Sequence, residues 1–186
     1  MQAEDVFFDI GANIGVFSVY AAKMHPKSTI YSFEPEYSNL NLLKNNILRN
    51  KVNEQVNIFS VGISDEAGFS KLHLSSTDAG AAVHTESKNN IVTTDEGYEV
   101  VWGEGIMTTT LDEFCQYLQI IPNCLKIDTD GNELKILKGA SSTLKNIRLK
   151  SLIIEMPLHD EKQLAECESI LIESGLLPTW SDREKT

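Results

Sequence analysis

Several features that would place a protein in a specialised class are absent from this sequence. It has three cysteines, Cys115, Cys124 and Cys167, which are widely spaced and include no Cys-x-x-Cys pair. Neither a disulfide framework nor a zinc site is therefore indicated, and a reducing, cytoplasmic location is the simplest expectation. No apolar run approaches the roughly 18 residues that a membrane span needs. Met1–Asp5 also lacks the basic start and apolar core of a signal peptide.

Basic residues are scarce as well. The chain of 186 residues has 16 lysines and arginines against 27 aspartates and glutamates, which gives a formal net charge of −11. Nucleic-acid affinity depends largely on Lys and Arg side chains that neutralise phosphates, so this balance argues against a nucleic-acid partner. A small neutral or cationic molecule, or a glycan, fits the charge better, although surface acids also serve solubility.

Length and composition predict a single domain over residues 1–186. Hydrophobic residues make up 41% of the chain, which is enough for a sizeable core. Neither an internal repeat nor a linker rich in Pro, Gly or Ser divides the sequence.

Short apolar runs alternate with segments of helical periodicity, a pattern typical of an α/β fold with a mostly parallel, doubly wound sheet. The predicted strands are Val6–Ile10, Thr29–Phe33, Val56–Ile63, Leu125–Ile127, Leu152–Glu155 and, weakly, Leu177–Trp180. The predicted helices are Ile14–Met24, Tyr37–Arg49, Leu111–Leu118, Glu133–Lys145 and Glu161–Ser174. Thr110 is expected to cap the third helix, and Gly175 to end the last one.

One region interrupts this alternation. Lys71–Thr109 is polar and contains glycines, and Tyr98–Trp102 is its one candidate strand. We interpret the region as an insertion that hangs over the ligand site.

The most informative stretch is Val6–Ser18, where an apolar strand ends in an acid, makes a glycine turn and enters a helix. Gly11 and Gly15 permit positive φ, and the start of the helix would present unpaired N–H groups. Dinucleotide sites need a third glycine, but Asn13 stands between these two. Asp9 would repel a pyrophosphate, yet it could accept hydrogen bonds from an ammonium group such as that of S-adenosylmethionine. The alternative interpretation is that Gly11 and Gly15 only allow the chain to turn and bind no ligand.

Ligands of a doubly wound sheet gather beyond the carboxyl ends of its strands. Glu34 ends the second strand at about the 20-residue distance from Gly11 that is expected of an acid binding ribose hydroxyls. Pro35 follows and would turn an apolar face toward the base. Ser64 and Asp65 end the third strand, where a side chain could meet the adenine edge, although Ser-Asp is equally typical of a simple turn.

The densest polar cluster follows the fourth strand. Asp128, Asp130 and Glu133 could orient an acceptor molecule, take its proton or hold a divalent cation. Asp128 and Asp130 would be the ligands if a divalent metal took part, but nothing in the sequence resembles the spacing of a zinc site, and no metal ligand is predicted. Helix capping by Asp130 or Asn132 is the competing role.

Two more candidates follow the fifth strand. Glu155 ends this strand at the same rim of the sheet, and His159 lies in the loop beyond it. Either side chain could act as a base. A solvated loop position is the alternative for His159.

The order of these residues resembles that of the FkbM-type methyltransferases, a branch of the class I S-adenosylmethionine-dependent enzymes. The matching motifs are Phe8–Gly15, Phe33–Pro35, Ile63–Asp65 with Gly68, Thr110–Asp112, Leu125–Asp128 through Gly139, and Ile153–Glu155. The family commonly carries two acids after the fourth strand, which Asp130 and Glu133 match. The resemblance implies a Rossmann-like fold and methyl transfer to a hydroxyl of a sugar, glycolipid or secondary metabolite, with S-adenosylhomocysteine as product.

The residue patterns, together with the resemblance, assign roles to the candidate residues. Those expected to bind the cofactor are Asp9, Gly11, Asn13, Gly15, Glu34, Pro35, Ser64, Asp65 and Asp128. Those expected to act on the acceptor are Asp128, Asp130, Glu155 and His159. Two alternatives stay open, a cofactor-binding module without turnover and a nicotinamide-dependent oxidoreductase. Asp9 and the missing middle glycine count against the second.

The resemblance also implies a seventh, antiparallel strand, for which the polar residues after Trp180 are too few. We therefore expect a sheet that lacks this strand and has an open edge beside Leu152–Glu155. Leu177–Trp180 could pair there, another subunit could cover the edge in a homo-oligomer, or the chain could be a fragment of a longer protein.

Overall fold

The computed structural model describes residues 1–78, 80–81, 84–94, 97–158 and 160–179. Its strands are β1 (Val6–Ile10), β2 (Thr29–Phe33), β3 (Val56–Phe59), β4 (Gly62–Ile63), β5 (Gly68–Leu74), β6 (His84–Ser87), β7 (Trp102–Thr109), β8 (Cys124–Ile127) and β9 (Ser151–Ile154). Its helices are α1 (Val16–Met24), α2 (Tyr37–Asn50), α3 (Leu111–Leu118), α4 (Glu133–Lys138), α5 (Ser141–Leu144) and α6 (Glu161–Glu173).

The main sheet has the strand order β3-β2-β1-β8-β9, and all of its pairs are parallel. Ile10 at the end of β1 is in register with Phe33 of β2 and with Ile127 of β8. The carboxyl ends of three strands therefore meet side by side. The prediction of an α/β fold with a mostly parallel sheet is confirmed.

Alternate residues of β1 face two separate hydrophobic cores. Phe8 and Ile10 pack in one core with Phe114 of α3 and with residues of α4 to α6. Phe7 packs in the other core, which contains buried residues of α1 and α2. Because helices cover both faces of the central strands, the strands of this sheet are mostly apolar, as is typical of parallel sheets.

Two predicted elements are divided in the structure. The strand predicted as Val56–Ile63 leaves the main sheet after Phe59, and its last two residues pair with β7 instead. The helix predicted as Glu133–Lys145 is interrupted between α4 and α5. At this break, a Cβ added to Gly139 would lie 2.2 Å from the carbonyl oxygen of Ser64, so the close contact requires glycine.

A second sheet with the order β4-β7-β5-β6 occupies most of the predicted insertion. β5 is antiparallel to both β6 and β7, whereas β4 is parallel to β7. Leu72, Leu74 and Ile106 form its own small core. The strand expected at Tyr98–Trp102 is found only at its last residue, because β7 begins at Trp102. The described residues from Tyr98 to Val101 form an isolated bridge at Glu99 and no strand.

The helix ends agree with the predicted caps except at one residue. Thr110 and Glu113 form a capping box at α3, and Gly175 after α6 has a φ of 80°. Asn132 does not cap α4 with its side chain, so that prediction is wrong. Its Nδ2 donates instead to the carbonyl oxygen of Ile63 over 2.9 Å.

β9 lies at one edge of the main sheet, and within the described ranges no strand pairs with its outer side. Leu177–Thr179 are not in a strand, so the predicted sixth strand is wrong for these residues, and Trp180 lies outside the described residues. Coverage of this edge by another subunit stays a prediction. None of the helices in the described ranges is long and apolar enough to cross a membrane.

Candidate active site

A cleft with a volume of about 180 Å³ lies between the carboxyl edge of the main sheet and the second sheet. The main sheet contributes the residues that end or follow its strands, among them Gly11, Asn13, Glu34, Pro35, Asp128 and Asp130. The second sheet contributes Leu72, His84, Glu86 and Ile106. Ligand pockets commonly measure roughly 300–1,000 Å³, so a nucleoside-sized ligand would extend from the cleft into solvent.

The glycine turn after β1 is shaped by a close contact with the loop after β8. Gly11 has a φ of 72°, and a Cβ added to it would lie 1.8 Å from the carbonyl oxygen of Asp128. The N–H groups of Gly11 and Ala12 both donate to the carbonyl oxygen of Phe33, over 3.1 and 2.9 Å. These groups are thus paired inside the protein, and the turn serves the cleft through its shape.

Glu34 is 5% exposed and forms a wall of the cleft. Its Oε2 accepts from the backbone N–H of Asn13 over 2.8 Å, and its Oε1 from that of Glu36 over 2.9 Å. Burial is the dominant influence and raises the pKa of Glu34 to about 7. Each carboxylate oxygen has a second lone pair, so Glu34 can accept two further hydrogen bonds.

Lys126 connects the acids beneath the glycine turn. Its Nζ lies 3.2 Å from both Asp9 Oδ1 and Asp128 Oδ2, and it donates to the carbonyl oxygen of Gly11 over 2.8 Å. Asp9 is fully buried and also accepts from Ser18 Oγ over 2.6 Å. Burial raises the pKa of Asp9, while Lys126 and Ser18 act in the opposite direction. Asp9 therefore lies below the turn rather than on the wall of the cleft.

Asp128 and Glu155 form a pair of carboxyl groups at the ends of adjacent strands. Burial acts to raise the pKa of Asp128, but the hydrogen bond with Glu155 and the charge of Lys126 outweigh it and lower this pKa. The hydrogen bond with Asp128, followed by burial, raises the pKa of Glu155 to about 8. Near neutral pH the two carboxyl groups are therefore expected to share one proton.

The loop after β8 is held in shape by Glu133. This residue is buried, and its carboxylate accepts from Thr129 N and Oγ1, each over 2.9 Å, and from Gly131 N over 3.0 Å. Asp130 has a φ of 54°, a conformation that few residues other than glycine and asparagine or aspartate adopt. Glu133 thus fixes the loop that presents Asp128 and Asp130 to the cleft.

The structure brings together some of the predicted site residues and separates others. Those that line the cleft are Gly11, Asn13, Glu34, Pro35, Asp128 and Asp130. Those that lie outside its lining are Asp9, Gly15, Ser64, Asp65 and Glu155, the last being joined to it through Asp128. His159 lies outside the described residues. Among the residues that the structure describes, no three His, Cys, Asp or Glu side chains converge on a metal site.

Sequence reasoning missed three polar residues of this region. Lys126 could have been noticed, because a lysine within an apolar strand is unusual in a sheet buried on both faces. Glu86 accepts from Lys135 Nζ over 2.8 Å and from Ser70 and Ser64. It reaches the cleft together with His84 through the pairing of β6 with β5, for which the local sequence holds no signal.

Comparison with known proteins defines the class and then the family. The crystal structure of methyltransferase FkbM from Methylobacillus flagellatus superposes with a TM-score of 0.64 at 17% identity, over 93% of this chain and 38% of that one. The fold is thus that of the class I S-adenosylmethionine-dependent methyltransferases. The pattern of the Methyltransferase FkbM domain matches residues 9–175. The chain belongs to the FkbM methyltransferase family, which confirms the resemblance found in the sequence.

Two characterised relatives indicate the range of this family. The 31-O-demethyl-FK506 methyltransferase FkbM of Streptomyces tacrolimicus is 40% identical over 72 residues, which are 39% of this chain and 27% of that protein. The hexuronic acid methyltransferase AglP of Haloferax volcanii is 26% identical over 156 residues, which are 83% of this chain and 57% of that protein. The chain therefore spans well under two thirds of these relatives.

Proposed function

We propose that this chain binds S-adenosylmethionine in the cleft and that it transfers the methyl group to a hydroxyl oxygen of a neutral sugar or a related metabolite. The observation that carries the proposal is the carboxyl pair of Asp128 and Glu155 beside the glycine turn. Transfer to a hydroxyl requires that its proton be removed, and a group with a pKa of about 8 is well matched to that task near neutral pH.

The lining of the cleft fits such a cofactor. Glu34 has two carboxylate oxygens with free lone pairs, which suit the two hydroxyls of a ribose. Pro35, Val61 and Ile63 give an apolar surface for a purine base next to it. When bound, S-adenosylmethionine supplies a methyl group on a positively charged sulfonium, which is already a good leaving group.

The residues of the chain then have two tasks, to orient the acceptor and to receive its proton. Asp128 is held by Lys126 and by Glu155, so its free lone pairs can orient a hydroxyl group. The ionised pair would receive the hydroxyl proton, while the bound cofactor would supply the methyl group by cleavage of its sulfur–methyl bond and leave as S-adenosylhomocysteine. Orientation of this kind can supply several kcal/mol, of the order of 7–11 kcal/mol in well-aligned intramolecular reactions.

The charge around this pair favours a neutral acceptor. The acids Asp128, Asp130, Glu133 and Glu155 lie close enough to influence one another, since three of them raise the pKa of the fourth. An anionic acceptor would be repelled, whereas a hydroxyl on a neutral ring would not. Of the two relatives, one is named for a hexuronic acid and one for 31-O-demethyl-FK506. We therefore expect uncharged hexuronate esters to be better acceptors here than free hexuronates.

The test is mass spectrometry of the purified chain with S-adenosylmethionine carrying a trideuterated methyl group. The acceptors are hexoses, hexuronic acids, their methyl esters and secondary alcohols. A product heavier by one labelled methyl, formed by the parent and lost in Asp128→Asn, supports the proposal. Binding of S-adenosylhomocysteine without transfer to any acceptor would instead indicate a cofactor-binding module without turnover.

A further inference from the structure

Among the described residues that line the cleft, one has a buried side-chain nitrogen without a hydrogen bond. His84 is 9% exposed and lines the cleft, and its Nδ1 has no partner among the described residues. A buried polar group without a partner is costly, and native proteins satisfy nearly all such groups. The ring nitrogen therefore points to a ligand that supplies the missing hydrogen bond.

The position of β6 determines which part of a ligand this nitrogen would meet. β6 lies on the outer side of β5, with His84 opposite Leu74 and Glu86 opposite Leu72. The two β6 side chains share one face, because residues two apart in a strand point the same way. This sheet joins the main fold where β4 pairs with β7, directly after β3. The His84 wall thus adjoins the Glu34 side of the cleft rather than the edge at Glu155.

The other polar groups of this wall are already satisfied. Glu86 accepts from Lys135 Nζ, which holds its carboxylate in an ion pair. Ser64 donates toward Asp65 and Glu86, each over 3.3 Å, and neither Ser64 nor Asp65 lines the cleft. Of the polar side-chain groups described on this wall, His84 Nδ1 is thus available for a hydrogen bond with a ligand.

We infer that His84 Nδ1 forms a hydrogen bond with the edge of the cofactor's adenine ring. The inference rests on the proposed binding of S-adenosylmethionine. The apolar residues Leu72 and Ile106 of the same wall would contact the purine face, and His84 would supply the polar contact that fixes its orientation. His84 is thus a specificity-determining residue for the base, in a place where the sequence pointed to Ser64 and Asp65.

The test is calorimetric titration with S-adenosylhomocysteine, which needs no turnover. His84→Leu removes the ring nitrogen and should weaken binding roughly 3- to 10-fold, as loss of one hydrogen bond does. His84→Asn keeps a polar atom on Cγ and should restore most of the affinity. The control is His73→Asn, because His73 lies on the opposite face of β5, where its Nε2 contacts the carbonyl oxygen of Asn89.

Two further readouts separate recognition from a structural role. His84→Leu should unfold at the same or a higher temperature without ligand, because it removes an unpaired buried nitrogen. The ¹⁵N resonance of His84 Nδ1 should move on addition of S-adenosylhomocysteine. Equal affinities of parent and His84→Leu, or an unmoved resonance, would overturn the inference alone. If the parent itself does not bind S-adenosylhomocysteine, the proposed function fails.

Discussion

The ammonium group of Lys126 and the carboxylate of Asp9 form an ion pair in which both side chains are almost completely buried. Their exposed fractions are 5% and 0%, and the distance from Nζ to Oδ1 is 3.2 Å. The same ammonium group is hydrogen-bonded to the glycine turn. Lys126 therefore connects the buried carboxylate of Asp9 to the glycine turn that shapes the cleft.

Substitution of Lys126 should be strongly destabilising. Lys126→Met leaves the charge of Asp9 buried and unpaired, which costs about 3–5 kcal/mol of unfolding free energy. Urea denaturation measures this change. The double variant Asp9→Asn with Lys126→Met should recover part of the loss. Lys138→Met is the control, because Lys138 and Glu166 form an exposed pair and should contribute less than about 1 kcal/mol.

Gly11→Ala should disrupt the cleft at its base. The added Cβ would lie 1.8 Å from a backbone oxygen at a φ of 72°, so the turn must separate from the loop after β8. We expect lost affinity for S-adenosylhomocysteine, measured by calorimetry, and a lower melting temperature. Gly105→Ala is the matched control, because a Cβ there meets nothing within 4 Å. A Gly11→Ala variant with parental affinity would contradict the role of the turn.

Glu34 should make the protein less stable as the pH rises. Its pKa in the folded state is about 7 against 4.5 for the free side chain, so the folded state binds this proton more tightly. The resulting stabilisation is complete below about pH 4.5 and is lost as the pH rises through 7. A shift of this size corresponds to at most about 3 kcal/mol.

Urea denaturation of the parent and of Glu34→Gln between pH 4.5 and 8 tests this expectation. The variant should lack that part of the decline, so the two stability curves should diverge with increasing pH. Glu173→Gln, at an exposed position at the end of α6, should run parallel to the parent. Parallel curves for Glu34→Gln would mean that Glu34 titrates normally.

The carboxyl pair should set the pH dependence of methyl transfer. Because the pKa of Glu155 is about 8, we expect the rate to rise with pH up to that value and then to level off. Glu155→Gln should abolish this rise. Asp128→Asn should lower the rate by about 10²- to 10⁴-fold with little change in the affinity for S-adenosylhomocysteine.

Rapid-quench rates across pH 6 to 9, together with calorimetry, separate these effects. Equal losses of rate and affinity in Asp128→Asn would place Asp128 in cofactor binding alone. If the rate of the Glu155→Gln variant still rises through pH 8, the group whose titration controls the rate is a residue other than Glu155.

The central strands of the main sheet were predictable because they are buried on both faces. Val6–Ile10 and Thr29–Phe33 are apolar runs whose bounds agree with β1 and β2. Leu111–Leu118 was equally clear, since the Thr110 cap marks its start. In these segments the local sequence and the tertiary environment favour the same structure.

The second sheet could not be predicted in the same way. Phe69 and Met107 are 81% and 59% exposed, whereas Ser70 and His73 are buried, so the apolar residues do not mark its inner face. Its strands are defined by tertiary pairing, of β5 with β7 over a long sequence distance and of β5 with β6. The residues that this pairing brings to the cleft, such as His84, were for that reason not identified.

The pairing of Gly62–Ile63 with Thr108–Thr109 has a consequence for how this family could diversify. The chain leaves the main fold and returns to it in adjacent strands, about 4.8 Å apart. The segment between these two strands, residues 64–107, can therefore be replaced as a unit. The length and sequence of this segment can change while the strands of the main sheet keep their register. A different segment would alter the wall of the cleft at His84 and leave the carboxyl pair of Asp128 and Glu155 in place.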